Sequence, residues 1–164
     1  MKVKLFATVA FAALIGLALP GSTPAADTSS IYDNLLLMKE HSVLLVAVTE
    51  VKEEKTLKTE GPYTLFAPTD AAFKKLDSAT IKKIATDKET VKQLLRAHLA
   101  KGTLPVSELK KLDPAEVRTL QGTTLKVQDG KDGLRVGEAK LITKDIVCKN
   151  GIIHVIDVVL PVAK

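Results

Sequence analysis

The side chains able to do chemistry are few and scattered. Three histidines, His41, His98 and His154, and one cysteine, Cys148, are the only soft ligands in the chain. No His-x-x-x-His or His-Glu spacing links the histidines, so a metal site would need convergence from distant segments. His98 and His154 are read instead as partly buried imidazoles whose ring nitrogens need hydrogen-bond partners. Serines and aspartates occur, but there is no Gly-x-Ser-x-Gly elbow to lift a serine to a strand-to-helix turn. Gly130, Gly133 and Gly137 precede extended-looking rather than helical sequence, which fits hairpin turns and not a phosphate-cradling loop. With one cysteine there is no internal disulfide. Cys148 is either a small buried hydrophobe or an exposed thiol able to oxidise to a dimer. These residues call for no cofactor, no metal and no enzymatic activity.

The elements that would position such groups change character midway along the chain. Ser29 or Ser30 can cap a helix carrying Ile31, Leu35 and Met38 on one face, and Ser42 a second helix running to Val51. Lys52 to Glu60 is a charged stretch ending at the turn pair Gly61-Pro62. Tyr63 to Ala67 reads as a short buried strand closed by Pro68. Thr69 then takes an N-cap position, with Asp70 in the first turn, where the helix dipole favours an anion, and Ala72, Phe73 and Leu76 following. Ser78 and Asp87 are placed as caps of two more helices, the latter presenting Val91, Leu94, Leu95 and His98. Beyond Val117 the period becomes two, with turns at Gln121-Gly122, Asp129-Gly130 and around Gly137. Gly151 to Leu160 is dense in β-branched residues and should form a central strand. Helices followed by strands, with no linker and no repeat, predict one compact α+β domain.

Composition supports a folded chain of ordinary type: 164 residues, 46% hydrophobic and 26% charged. Lys2 and Lys4 precede an uncharged apolar run from Leu5 to Leu19 and a small-residue zone from Ser22 to Ala26, the pattern of a cleaved secretory leader over residues 1–26. That run is shorter than the roughly 20 residues needed to span a bilayer. With no cysteine at the cleavage zone, a lipid-modified N-terminus is not expected. Removing Lys2 and Lys4 lowers the formal charge from +5 to +3 and leaves a domain over residues 27–164. Only Tyr32, Tyr63, Phe66 and Phe73 remain as aromatics, and lysines alternate with acids throughout. Single-strand nucleic-acid binders need stacking rings along a cationic groove, so nucleic acid is not an expected partner.

Three segments in order resemble the fasciclin (FAS1) domain family. Gly61-Pro62-Tyr63-Thr64-Leu65-Phe66-Ala67-Pro68-Thr69-Asp70-Ala71-Ala72-Phe73 is similar to its first signature block. Asn150-Gly151-Ile152-Ile153-His154-Val155-Ile156-Asp157 with Leu160-Pro161 is similar to its second. Between them Leu94-Leu95-Arg96-Ala97-His98 occupies the place of the family's tyrosine-histidine motif, with Ala97 where the tyrosine usually stands. A binding role attached to that tyrosine therefore does not carry over, which leaves His98 as the candidate partner-binding residue of this segment.

The resemblance implies a wedge-shaped β-sandwich flanked by short helices, in a secreted or periplasmic, non-enzymatic and monomeric module. Its partner would be a protein or polysaccharide at the cell surface or in the matrix. A less favoured alternative is a carrier of an apolar pigment or lipid, which requires a wide apolar groove between helices and sheet. Phe66, Pro68, Thr69, Asp70, Phe73, Asn150, Gly151, His154 and Asp157 are the fold-signature positions. Thr69 and Asp70 would satisfy free donors at a helix start, and Gly151 would supply a positive φ beside Asn150. Asp145-Ile146 matches the position of an Asp-Ile pair implicated in receptor binding by animal members. An exposed carboxylate beside an apolar side chain can ligate a receptor-bound cation while its neighbour fills a shallow pocket. That requires both side chains to face solvent. The other reading has Ile146 packed inward and Asp145 accepting backbone hydrogen bonds.

Overall fold

The structure is a computed structural model that describes residues 29–112 and 116–162. The leader expected over residues 1–26 lies outside the described residues. The first helix, α1 (Ile31–Leu37), starts at Ser30, whose side chain accepts from the Asp33 N–H while the Asp33 carboxylate accepts from the Ser30 N–H, a complete capping box. Next come α2 (Ser42–Glu50) and α3 (Glu54–Thr59). The third falls in the charged stretch after Lys52, to which the sequence assigned no element, and is anchored by the fully buried Leu57. Strand β1 (Tyr63–Pro68) leads to α4 (Asp70–Lys74), which Thr69 caps by accepting from the Ala72 N–H. Helices α5 (Ser78–Thr86) and α6 (Lys88–Ala97) follow. Asp87 caps α6 as expected, but α5 is capped by Asp77, so Ser78 is its first helical residue.

The remaining elements are β2 (Leu99–Lys101), α7 (Val106–Leu109), β3 (Glu116–Arg118), β4 (Thr124–Gly130), β5 (Gly133–Val136), β6 (Ala139–Cys148) and β7 (Gly151–Ile156). The strands form one hydrogen-bonded order, β2-β1-β7-β6-β5-β4-β3. Strand β7 is central, parallel to β1 and antiparallel to β6, with every residue buried. Register irregularities in β6 between Leu141 and Ile146 bend the sheet. The two ends of the sheet meet where Ala100 bridges Thr119 and the Leu120 N–H donates to the Leu99 carbonyl at 2.7 Å. The sheet thus curls into a closed, sandwich-like body with its edges covered.

Two cores result. Phe66, Ala100, Val117, Leu125, Leu134, Ala139 and Ile156, drawn from all seven strands, fill the inside of the curled sheet. Alternate residues of the β2-β1-β7 wall, Leu65, Ala67, Leu99 and Ile153, point the other way and meet Ile31, Leu44, Val48, Leu57 and Leu95 from the helices. Period-two alternation in the wall therefore serves both layers at once. The architecture is α+β, helices over one side of a curled sheet.

Candidate functional site

The residues singled out by sequence divide into those that build the interior and those left at the surface. Phe66 is fully buried inside the sheet and stacks on His154, ring centroids 5.8 Å apart. Pro68 pairs with Ile156 at the end of β1, and Phe73 is 6% exposed under α2 and α6. Asp70 does more than sit in its own first turn. Its carboxylate accepts from the Ser42 hydroxyl at 2.6 Å and the Val43 N–H at 2.9 Å, capping α2 from another element. Ser42 is accordingly not a cap but the first helical residue, and His41, at the cap position, makes no capping bond. Burial raises the Asp70 pKa, yet those donors outweigh it and hold the carboxyl below its ordinary range.

Asn150 is the densest tertiary junction. Its Oδ1 accepts from the Ile31 N–H at 2.9 Å, and its Nδ2 donates to the carbonyls of Leu57 at 2.9 Å and Glu60 at 2.8 Å. One amide thus ties the start of α1 and the end of α3 to the β6–β7 turn. Next to it, Gly151 has φ +155° and lies against β1: a Cβ there would sit 1.9 Å from the Tyr63 carbonyl oxygen. Asp157 accepts from the Lys140 N–H at 2.8 Å, extending the β6–β7 pairing past the strand end.

His98 has no exposed surface, which corrects its placement as a partner-binding residue. Nδ1 lies 2.7 Å from the Leu94 carbonyl and Nε2 accepts from the Leu160 N–H at 2.9 Å, so the proton is assigned to Nδ1. Burial lowers its pKa to about 4. The imidazole is a neutral bolt between the end of α6 and the C-terminal segment. His154 is the mirror case: Nδ1 accepts from the Asp145 N–H at 3.2 Å and Nε2 donates to the Leu104 carbonyl at 2.8 Å. Burial again lowers its pKa, against the opposing pull of the Leu104 carbonyl and the Asp145 carboxylate. His41 is buried at the start of α2, and its pKa is lowered by burial against the pull of Asp70. Among the described residues no group of three His, Cys, Asp or Glu side chains is arranged to hold a metal ion. Cys148 is buried, with the Asn34 amide donating to its sulfur at 3.3 Å, so the exposed-thiol alternative does not hold.

The Asp145-Ile146 corner is half what receptor contact requires. Asp145 sits in the left-handed region, φ +56°, at the β6 irregularity, with its side chain 43% exposed. One carboxylate oxygen, Oδ1, accepts from the Val106 N–H at 2.8 Å and fixes the start of α7. Ile146 packs against the helix-side core, opposite Ile153 in register. A carboxylate reaches solvent here without its apolar companion, because the bulge that turns Asp145 out turns Ile146 in.

Sequence reasoning passed over a surface feature, a groove of about 800 Å³ between α2, α4, α5 and α6. Its floor and walls are Val43, Val46, Phe73, Ile81, Ile84 and Val91. The signal was present in α2, which is apolar from Val43 through Val48 on every face. Leu44, Ala47 and Val48 enter the core, leaving Val46 61% exposed over the groove. Lys88 of α6 reaches Glu50 of α2 at 3.5 Å across the rim. The groove lies among helices, and not between helices and sheet as the carrier alternative anticipated.

The comparisons with known proteins agree with this architecture. The Fasciclin domain model matches residues 39–162. An uncharacterized protein of Synechocystis, sll1735, is 36% identical over 119 residues, covering 73% of this chain and 87% of its own length. Human periostin is 38% identical over 107 residues, covering 65% of this chain but 13% of periostin. The cell surface glycolipoprotein MPB83 of Mycobacterium bovis is 38% identical over 100 residues, 61% of this chain and 44% of that protein. Among solved structures, the FAS1 domain pair of the insect cell adhesion molecule fasciclin I superposes with TM-score 0.56 at 25% identity, covering 79% of this chain and 46% of that one. Signature segments that build the interior, a curled sheet under a helical layer, and a family match across most of the described residues place this chain in the fasciclin (FAS1) domain family.

Proposed function

We propose that this chain is an exported, non-enzymatic interaction module that contacts a protein or polysaccharide at the cell surface as a monomer. The observation that carries the reading is the family match across residues 39–162, on a fold whose signature side chains are taken up in structural contacts. The leader-like sequence before residue 27 supports export to the periplasm or beyond, and no helix among the described residues is long and apolar enough to cross a membrane. Recognition then belongs to outward-facing groups, of which the Asp145 carboxylate is one. The test is affinity capture from envelope extracts against a charge-matched control protein. Recovery of a specific protein or polysaccharide supports the module; recovery equal to the control removes it. Sequencing the N-terminus of protein from its native host checks cleavage near Ala25 or Ala26.

The groove between α2, α4, α5 and α6 favours a second reading, a carrier of an apolar small molecule. Its volume falls within the range of roughly 300–1,000 Å³ typical of ligand pockets. Val46→Asp places a charge on its wall, at an already exposed position, and should abolish uptake of an apolar dye without altering the melting temperature. Colourless protein from which organic solvent extracts nothing would count against this reading.

A further inference from the structure

The outer face of the β3-β4-β5-β6 sheet carries an unusual set of charges. Leu125, Val127, Leu134, Val136, Ala139 and Leu141 point into the curled sheet, so their neighbours in sequence point out. Those neighbours include Arg118 on β3, Lys126 on β4, Arg135 on β5 and Lys140 on β6, the first three exposed and the last half-buried. Register places Arg135 directly opposite Lys140. Like charges in direct cross-strand pairing are destabilising, so this pair works against the fold. The other steps are diagonal: Arg135 pairs with Gln128, two residues from Lys126, and Lys126 pairs with Glu116, two residues from Arg118. With strands about 4.8 Å apart and diagonal neighbours about 7–8 Å apart, the four cations form a row roughly 20 Å long.

Among the described residues no side-chain ion pair closes on the row, although Glu116 is exposed directly opposite Lys126. Among the described residues the lysine ion pairs are made by Lys88, Lys110 and Lys111, none of them on this face. The acid nearest in register is Glu116. Helices α1, α4 and α6 pack on the β2-β1-β7 side and α7 sends Leu109 into the inside of the curled sheet, so among the described residues no helix lies over the cationic face. The Lys140 side chain runs toward Gly133, its Cε 3.7 Å from where a Cβ would be. No aromatic side chain lies on these four strands, so sugar rings or bases have nothing to stack on and charge alone would do the recognising.

We propose that Arg118, Lys126, Arg135 and Lys140 form a docking surface for a linear acidic polysaccharide, one bearing carboxylates or sulfates along its length. The inference rests on the reading of this chain as an exported interaction module and gives that module a site and a partner chemistry. A polymer fits the geometry because a row of point charges roughly 20 Å long engages repeated anions better than one compact anion does. Nucleic acid is the competing polyanion, and the expected export, with no stacking platform, favours the polysaccharide.

The test is binding of the purified protein to immobilised polygalacturonate, with neutral dextran as the blank and a single-stranded DNA of matched charge as competitor. Wild type should bind polygalacturonate and not dextran, with affinity falling roughly 50-fold between about 50 and 200 mM salt if all four cations engage. Arg135→Glu with Lys140→Glu should lose at least tenfold in affinity. The control, Lys82→Glu with Lys83→Glu on exposed positions of α5, makes the same charge change and should bind like wild type. Melting temperature certifies folding, and Arg135→Glu alone should raise it by converting a repulsive pair into an attractive one. Equal losses in both double variants, or wild-type binding by the strand variant, would overturn the site. DNA displacing the protein more effectively than soluble polygalacturonate would overturn the assigned chemistry. Envelope capture that succeeds while polygalacturonate binding fails would sink this inference and leave the module reading standing.

Discussion

Lowering the pH from neutral toward about 4 should remove a defined part of the stability of this domain, and His98 sets the amount. In the folded state its Nδ1–H is assigned to the Leu94 carbonyl and its Nε2 accepts from the Leu160 N–H, with no exposed surface. A second proton on Nε2 would face an N–H donor and leave a charge in the interior. The folded pKa of about 4 lies below the ordinary 6.5, so the unfolded chain takes up its proton first. The contribution is therefore fully present above about pH 6.5 and is lost as pH falls toward about 4. At about 1.4 kcal/mol per pKa unit, the gap is worth about 3 kcal/mol, a large share of a typical domain's 5–15 kcal/mol. His154 and His41 also have lowered values and act with the same sign. The carboxylates of Asp33, Asp77 and Asp87, held low chiefly by hydroxyl donors from Ser30, Thr80 and Thr90, lose their contribution only below the ordinary carboxylate range. Urea unfolding followed by far-ultraviolet circular dichroism across this range measures the loss. Nitrogen NMR of the imidazoles should show His98 neutral at pH 5.5 with its proton on Nδ1, and His98→Gln should flatten the profile. A His98 ring that titrates near 6.5, or stability unchanged down to pH 4, would refute the reasoning.

Other perturbations follow from single contacts. Asn150→Ala removes all three side-chain bonds that join α1 and α3 to the β6–β7 turn and should cost about 2–4 kcal/mol; Asn150→Asp keeps the acceptor alone and should fall between Ala and wild type in urea midpoint. Gly151→Ala drives a Cβ into the Tyr63 carbonyl and should cost upwards of about 4 kcal/mol. Gly122→Ala, with φ +93° and nothing within 4 Å, should show left-handed strain alone, about 1–2 kcal/mol; equal losses in the two would contradict the close approach. Asp145→Ala removes the carboxylate that holds Val106 and a residue type that tolerates φ +56°, so about 1–2 kcal/mol should be lost in thermal melts, with Asn restoring most of it. No loss would free Asp145 from its structural role.

What the sequence disclosed well were features governed by neighbouring residues. The β-branched run from Gly151 marks the central strand because a strand buried on both faces reads as a near-continuous apolar run, but the strand ends at Ile156 and not at Leu160 as the run suggested. Thr69 and Asp87 are recognisable as caps because capping reaches only two or three residues along the chain. Failures came where the partner is distant. Ser42 has the chemistry of a cap, yet the donor groups at the start of α2 are met by Asp70 from another element. Leu57 anchors α3 through one buried side chain among charged ones, too sparse to register as a period. His98 follows an amphipathic helix, and only the return of Leu160 closes it off from solvent. Ile146 is not among these failures: it packs inward and Asp145 accepts a backbone N–H, the second of the two readings the sequence offered, although the bulge that achieves it is not announced by alternation. The groove and the cationic row are tertiary as well: each draws its residues from several elements and has meaning only once these are side by side.

The module reading meets its most direct test in crosslinking on intact cells of the native host, with photoreactive side chains placed at exposed positions such as Lys126, Arg135 and Val46. The account predicts a discrete adduct from at least one outward face and none from a matched probe at Lys55, exposed on α3 and outside both the groove and the cationic row. Adducts no more abundant than those of a charge-matched control protein at every position would contradict it.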